Sequence, residues 1–340
     1  MRDRAIAIVE SPLQLINANE YIKKYALESK TDFYFVSSRG THNLDQLRST
    51  YKALKLKGKV FEVSVLNIDK SIVTRLSFYL KIIRAARKMP KNYSLVLVGH
   101  MLSIYQNVLA NTIKNSECIY LDDGNASVAQ IKQLKKEKIK SFSPFSKRIF
   151  PLLLGFNVNL RYGKKGLNYF TIYKDLIVEN HPYLCFDIND LEYLKSEYGK
   201  KEINKNFVYF IGTPFYWNNK SYENFEQDIK KVSEFYQNKK VFYFPHRYES
   251  KEQLEIINNL GWKIVKNELP IELLLIELEN LPLEFGFFYS SAVDNISKLI
   301  PNMNFKSFEI DNTEFLEDGK NIYKLYRSYE KKNMITVIKL

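Results

Sequence analysis

Cysteine is nearly missing from this chain: Cys118 and Cys185 are the only two in 340 residues, and neither has further thiols or histidines around it at metal-ligand spacing. A disulfide framework and a thiolate metal centre are therefore excluded, and a reducing, cytoplasmic setting is expected. Long apolar runs are also lacking. In the opening MRDRAIAIVESPLQ the apolar run ends at Glu10, too short for a signal peptide or a membrane span, so these residues are expected to be structural. There is no Walker A run, no Gly-x-Gly-x-x-Gly, no His-Glu-x-x-His and no Asp-x-Asp. Those absences argue against NTPases, dehydrogenases, zinc hydrolases and sites that hold a diphosphate through a metal.

What is present is an ordinary globular composition, 45% hydrophobic and 26% charged, long enough at 340 residues for two domains. The 24 tyrosines and 23 phenylalanines suit a core first, and stacking on bases or sugar rings second. A net charge of +13 points to anionic partners, among them nucleic acid, acidic glycans, nucleotide donors and phospholipid surfaces. The excess is mostly scattered lysine without Arg-rich or aromatic-basic motifs, so no nucleic-acid partner is expected.

Short β-branched runs alternate with amphipathic stretches from the start: AIAIVE, FYFVSS, KVFEVSVL, SLVLVG and ECIYL, each followed by a helical segment. After the polar run DINDLEYLKSEYGKKEINKN, read as a crossover, a second series begins with FVYFIG and continues through KVFYFPH, WKIVKN and LEFGFFYSS. This rhythm predicts an α/β protein of two facing Rossmann-like domains with a deep interdomain cleft. The expected division is residues 1–190 and 191–340, with a C-terminal segment able to cross back. In such sheets ligands bind beyond the carboxyl ends of the strands, so the residues after each strand are the candidates.

Asp122, Asp123 and Gly124 follow the strand CIYL. Because neighbouring strand residues point to opposite faces, one carboxylate at most faces a ligand while the other secures the turn. A turn alone also explains the tripeptide, and Glu317-Asp318-Gly319, which follows a polar segment, reads as a surface turn. His246 stands just after the strand KKVFYF with Arg247 beside it, a place that favours an anion, although a histidine capping the strand end fits equally. His42, His100 and His181 rank lower, with His42 and His100 as acceptor-side contacts. Ser290 and Ser291 end another strand. Ser291 with Asp294 fits a capping box, and the same helix start offers a phosphate site. Ser11 before Pro12 reads as a helix cap.

Residues 131–156, IKQLKKEKIKSFSPFSKRIFPLLLGF, pass from basic to apolar. A solvated helix followed by core is one reading; a patch leaning on an anionic membrane is the other.

Taken in order, ESPLQLINANEY, LDDG at 121–124, FPHR at 244–247 and FYSSAVDN at 288–295 resemble the bacterial sialyltransferases and capsular polysialyltransferases. Those families have a two-domain GT-B fold and share an acidic-acidic-Gly motif, a His-Pro motif and a Ser-Ser motif in this sequence order. The resemblance implies inverting, metal-independent transfer of a sialic acid or related nonulosonic acid from a CMP-activated donor to a sugar hydroxyl. The acceptor would be a surface glycan such as lipooligosaccharide or capsule, in some cases lipid-linked. No cofactor is implied beyond the donor, whose single phosphate needs no metal. By the same resemblance Asp122 is the base and His246 the general acid at the donor phosphate, with Arg247 beside it. Ser290 and Ser291 hold that phosphate, Glu272 contacts the cytidine ribose, and Gly212 and Thr213 line the nucleotide pocket. One departure stands out: the families write His-Pro where this chain has Pro-His-Arg. The competing expectations are a non-catalytic nucleotide- or glycan-binding protein of the same fold, and an RNA-binding protein drawn by the basic surface.

Overall fold

The computed structural model describes residues 4–38, 41–64, 71–90, 92–114, 116–177, 179, 181–198, 201–213, 222–246, 249–265, 269–290, 292–310 and 319–340. The chain divides into two compact units, Met1–Leu194 and Lys195–Leu340.

In the first unit the strands are β1 (Ala5–Val9), β2 (Thr31–Ser37), β3 (Val60–Ser64), β4 (Leu95–Val98), β5 (Glu117–Leu121), β6 (Leu167–Thr171) and β7 (Leu184–Ile188). Its helices are α1 (Pro12–Lys24), α2 (Thr41–Ala53), α3 (Ile72–Lys88), α4 (Ile104–Thr112), α5 (Asn125–Leu134), α6 (Phe145–Leu153) and α7 (Glu192–Tyr198), the last running into the second unit. The strands form one sheet in the order β3-β2-β1-β4-β5-β6-β7, every pair parallel. Parallel strands are covered on both faces, and their sequences show it. AIAIV of β1 and LVLV of β4 are buried at every position. Helix starts follow the serine caps: Ser11 Oγ accepts from the Gln14 amide with Pro12 in the first turn, and Ser103 Oγ accepts from the Gln106 amide.

The second unit repeats the plan. Its strands are β8 (Glu202–Ile211), β9 (Lys240–Phe244), β10 (Lys263–Ile264), β11 (Asn280–Phe287), β12 (Asn304–Glu309) and β13 (Ile335–Lys339). The helices are α8 (Tyr222–Phe235), α9 (Lys251–Asn259), α10 (Ile271–Glu277), α11 (Ala292–Leu299) and α12 (Gly319–Tyr329). All pairs are again parallel, in the order β10-β9-β8-β11-β12-β13, so the C-terminal β13 is the outer strand of this sheet. A capping box at Ser250 and Gln253 opens α9.

Aromatic residues fill both cores. Tyr21, Tyr34, Phe78, Tyr120 and Phe170 are fully buried in the first unit, and Phe210, Tyr243, Tyr326 and Tyr329 in the second. In each sheet the strand order reverses once, between β1 and β4 and between β8 and β11, the point beyond whose carboxyl ends ligands bind in doubly wound folds.

Candidate functional site

At the reversal point of the first sheet, the residues that leave β1, β2, β4, β5 and β6 form one polar cluster. Glu10, directly after β1, is at its base. Its carboxylate accepts from the Ser38 hydroxyl, from Ser103 Oγ at 3.0 Å and from Gln106 Nε2 at 3.4 Å. Gln14 Oε1 receives the Glu10 amide at 2.7 Å and Gln106 Nε2 at 3.0 Å. The Gln14 side chain lies so close to Gly99 that any Cβ there would collide with it. A glycine after β4 therefore lets α1 approach the strand end.

The two acids after β5 part company. Asp122 is only 1% exposed, and its carboxylate accepts from Thr171 Oγ1 at 3.1 Å and from the Ile172 amide at 2.6 Å, tying β5 to the end of β6. Its carbonyl accepts from Asn17 Nδ2 at 3.0 Å, and Asn17 is in turn held by Asn189. Asp123 keeps a side chain 22% exposed, and one of its oxygens stands 3.1 Å from Nδ1 of His100, itself 20% exposed. Ser11 Oγ reaches its other oxygen at 3.4 Å, and the Asp123 amide donates to Ser127 Oγ at 2.7 Å. Asp123 is thus the more accessible of the two carboxylates, whereas Asp122, expected from the resemblance to be the base, is buried and braces the end of β5 to that of β6. Gly124 follows with φ +64°, a left-handed conformation that glycine adopts without strain and that turns the chain into α5.

Around the far ring nitrogen of His100 lies Gln130, with Nε2 at 3.5 Å and a buried Oε1 that has no hydrogen-bond partner among the described residues. The His100 amide donates to Gln106 Oε1 at 2.9 Å. His100 and Asp123 thus form an accessible imidazole–carboxylate pair beside hydroxyls and amides. An arrangement of this kind can take a proton from a bound hydroxyl. His181, by contrast, contacts the Lys135 carbonyl and the Tyr183 amide away from this cluster.

The second sheet brings Gly212, Thr213, His246 and Ser290 to its own carboxyl edge. Gly212 and Thr213 follow β8, half-buried His246 follows β9, and half-buried Ser290 follows β11. Thr213 Oγ1 donates to the Tyr289 carbonyl at 2.9 Å, joining the β8 and β11 ends across the reversal point. Ser290 Oγ accepts from the Ala292 amide at 3.3 Å at the start of α11, and its own amide and carbonyl are both held by the Tyr329 hydroxyl. Arg247 and Ser291 lie outside the described residues.

Glu249 is a residue that sequence reasoning passed over. Tyr243 donates its hydroxyl to Oε1 at 2.8 Å, the Glu249 amide donates to the His246 carbonyl at 2.9 Å, and Oε2 is shut away with no hydrogen-bond partner among the described residues. Burial pushes this carboxyl up to about 8, against the opposing pull of Tyr243 and of the His246 and Thr213 amides. Space for it exists because residue 212 is glycine: a Cβ there would run into the Glu249 carboxylate and stand 2.9 Å from the His246 amide nitrogen. Glu272 is also buried. Its carboxylate accepts from Asn295 Nδ2 at 2.9 Å, its carbonyl from the Tyr198 hydroxyl, and burial raises its pKa. It joins α10 to α11.

No protein-family model matches the sequence, and no curated protein matches it. Solved structures do share the fold. A UDP co-structure of S. aureus MnaA aligns over 97% of this chain and 88% of its own at 12% identity, TM-score 0.54. The GT-B domain of the sialyltransferase from Photobacterium damselae covers 99% of both chains at 12% identity, TM-score 0.52. The UDP-GlcNAc 2-epimerase of Methanocaldococcus jannaschii, in complex with UDP-GlcNAc and UDP, covers 99% of this chain and 89% of its own at 13% identity, TM-score 0.52. The likeness is one of fold: two parallel-sheet α/β domains of seven and six strands, as in GT-B proteins.

Proposed function

We propose that this chain is an inverting glycosyltransferase that moves a sialic acid, or a related nonulosonic acid, from a CMP-activated donor to a sugar hydroxyl of a surface glycan. The observation that carries the reading is the accessible His100–Asp123 pair at the carboxyl edge of the first sheet. The histidine, threonine and serine at the corresponding edge of the second sheet support it. The sialyltransferase GT-B domain that matches over 99% of both chains is consistent with it.

In this reading the second unit binds the donor. Ser290 and the N-terminus of α11 hold the phosphate, Gly212 and Thr213 line the nucleotide, and His246 neutralises and protonates the departing phosphate oxygen. Glu272 acts by fixing α10 against α11. The first unit acts on the acceptor: its hydroxyl oxygen bonds to the anomeric carbon, the bond from that carbon to the phosphate oxygen breaks, and CMP leaves. The hydroxyl proton passes to the His100–Asp123 pair. Direct displacement inverts the anomeric centre, and general acid–base assistance contributes roughly 10² to 10⁴ in rate. A monophosphate donor presents no diphosphate for a metal to bridge, so chelation should leave turnover intact.

Two of the structural neighbours bind UDP, one of them with UDP-GlcNAc as well, so the donor nucleotide is the point to test. Incubating the chain with CMP-sialic acid and with UDP and ADP sugars, with and without EDTA, and following nucleotide release, decides it. Release of CMP alone, insensitive to EDTA, supports the reading; UDP release or epimerised UDP-sugar replaces it. CMP binding without release under any acceptor favours a non-catalytic binder.

A further inference from the structure

Helix α6 turns its apolar side chains outward. Of its nine residues only Pro151 is buried. Phe145 is 62% exposed, Ile149 41%, Leu152 44% and Leu153 81%, with Leu154 just beyond at 37%. Positions 145, 149, 152 and 153 follow helical spacing, so they form one stripe. Ile131, Leu134, Ile139, Phe142 and Phe156 of the same stretch do pack on the core, so the exposed stripe is confined to α6 and Leu154.

The helix is not a loose excursion. Its flanks are pinned: the Leu160 amide donates to the Lys140 carbonyl at 2.8 Å, the Tyr162 hydroxyl to the Ile139 carbonyl at 2.7 Å, and Asn111 Nδ2 to the Asn157 and Asn159 carbonyls at 2.9 and 2.8 Å. Anchored in this way, the stripe is displayed rather than disordered. A contiguous apolar face on a fixed helix marks an interaction surface.

Charge identifies the partner. Residues 131–156 carry Lys132, Lys135, Lys136, Lys138, Lys140, Lys147 and Arg148 against the single acid Glu137. Lys132, Lys136, Lys138, Lys140 and Lys147 are exposed. A second copy of the chain, packed symmetrically, would set these cations against their own equivalents. An anionic lipid surface takes both features at once, acyl chains for the leucines and headgroup phosphates for the lysines. At nine residues α6 is too short to cross a bilayer and lies in the interface. Among the described residues no helix is long and apolar enough to span one.

We infer that α6 and the basic segment before it dock the chain on an anionic membrane. Leu102, 37% exposed in the turn after β4, adjoins this surface through Ser143 Oγ, which donates to its carbonyl at 3.4 Å. His100 is two residues earlier, so the docked face borders the first-unit cluster. A lipid-borne acceptor would arrive there. The inference does not depend on the transfer reading, because vesicle binding is measured without donor or acceptor.

Sedimentation of the full chain with phosphatidylcholine vesicles, and with vesicles containing phosphatidylglycerol, tests it at low and high salt. Expected is binding to the anionic vesicles that weakens with salt. Leu152→Glu with Leu153→Glu should lose about tenfold or more, because it removes the buried apolar area. Its circular dichroism and melting should be unchanged, since both side chains are exposed. Lys136→Glu with Lys138→Glu should weaken binding to anionic vesicles only. Absence of binding to anionic vesicles, or equal binding by the leucine variant, overturns the inference. So does a wild-type dimer that the leucine variant converts to monomer, which would make a second copy the occupant.

Discussion

Nδ1 of His100 stands 3.1 Å from a carboxylate oxygen of Asp123, while the neighbouring Asp122 turns inward to Thr171 and the Ile172 amide. Two adjacent acids on one strand end thus carry different tasks, as the alternation of a strand demands. The accessible one has an imidazole partner; the buried one holds β5 to β6.

Those tasks separate in mutants. Asp123→Ala and His100→Ala should lower kcat by about 10² to 10⁴ while leaving CMP affinity and melting temperature near wild type. Asp122→Ala strands the Thr171 hydroxyl and the Ile172 amide in the interior, and should cost about 1–3 kcal/mol of stability. Thermal melts and steady-state turnover of the three variants check this. Full stability with lost turnover in Asp122→Ala would return the base role to that residue.

Gly212→Ala should act on donor binding. The added methyl meets the Glu249 carboxylate and the His246 amide nitrogen, 2.9 Å away, so the chain that carries His246 has to shift. Titration with CMP should show weaker binding, and His246→Ala should weaken both CMP binding and turnover. Wild-type CMP affinity in both variants would remove this edge from the nucleotide site.

Glu249 gives a pH signature. Burial raises its carboxyl to about 8 in the folded chain, whereas the unfolded group ionises near about 4.3. Its contribution to stability is complete below the unfolded value and is lost as pH rises through the folded one. Wild-type stability should therefore fall between about pH 4.5 and 8 on this account, and Glu249→Gln should flatten that slope, gaining relative to wild type at alkaline pH. Urea unfolding at several pH values measures it; identical slopes in the two proteins contradict it.

Gly124→Ala should reach the first-unit cluster through the backbone. A φ of +64° with ψ −148° is a conformation nearly confined to glycine; it costs alanine about 1–3 kcal/mol, and relaxing it displaces Asp123. Reduced turnover with unaltered CMP binding is the expected result, read from kinetics and calorimetry together.

Much of the fold was legible. Buried parallel strands such as AIAIV and LVLV are short, almost wholly apolar and followed by serine-capped helices, which is a local signal. Strands β6, β7, β12 and β13 were not read, because LNYFT, LCFDI, NFKSFE and ITVIK mix polar with apolar residues. β7 and β13 are the outer strands of their sheets, where burial is incomplete. In the candidate site, the reading that Asp122, Asp123, His100, His246 and Ser290 follow strand ends agrees with the strand bounds, because each strand is a local signal. Which acid faces outward depends on the β6 end donating to Asp122, a contact 49 to 50 residues away in sequence. Glu249 escaped for a similar reason: its burial depends on a glycine at 212 and a tyrosine hydroxyl from β9. Only the pairing of strands within each sheet brings them together.

The most direct measurement is nucleotide release from CMP-sialic acid by the wild-type chain and by Asp123→Ala, in the presence of a glycan acceptor and EDTA. The account predicts CMP formed together with an inverted glycoside by the wild type, and almost none by the variant even though it still binds CMP. Release of a different nucleotide, or undiminished transfer by Asp123→Ala, would contradict it.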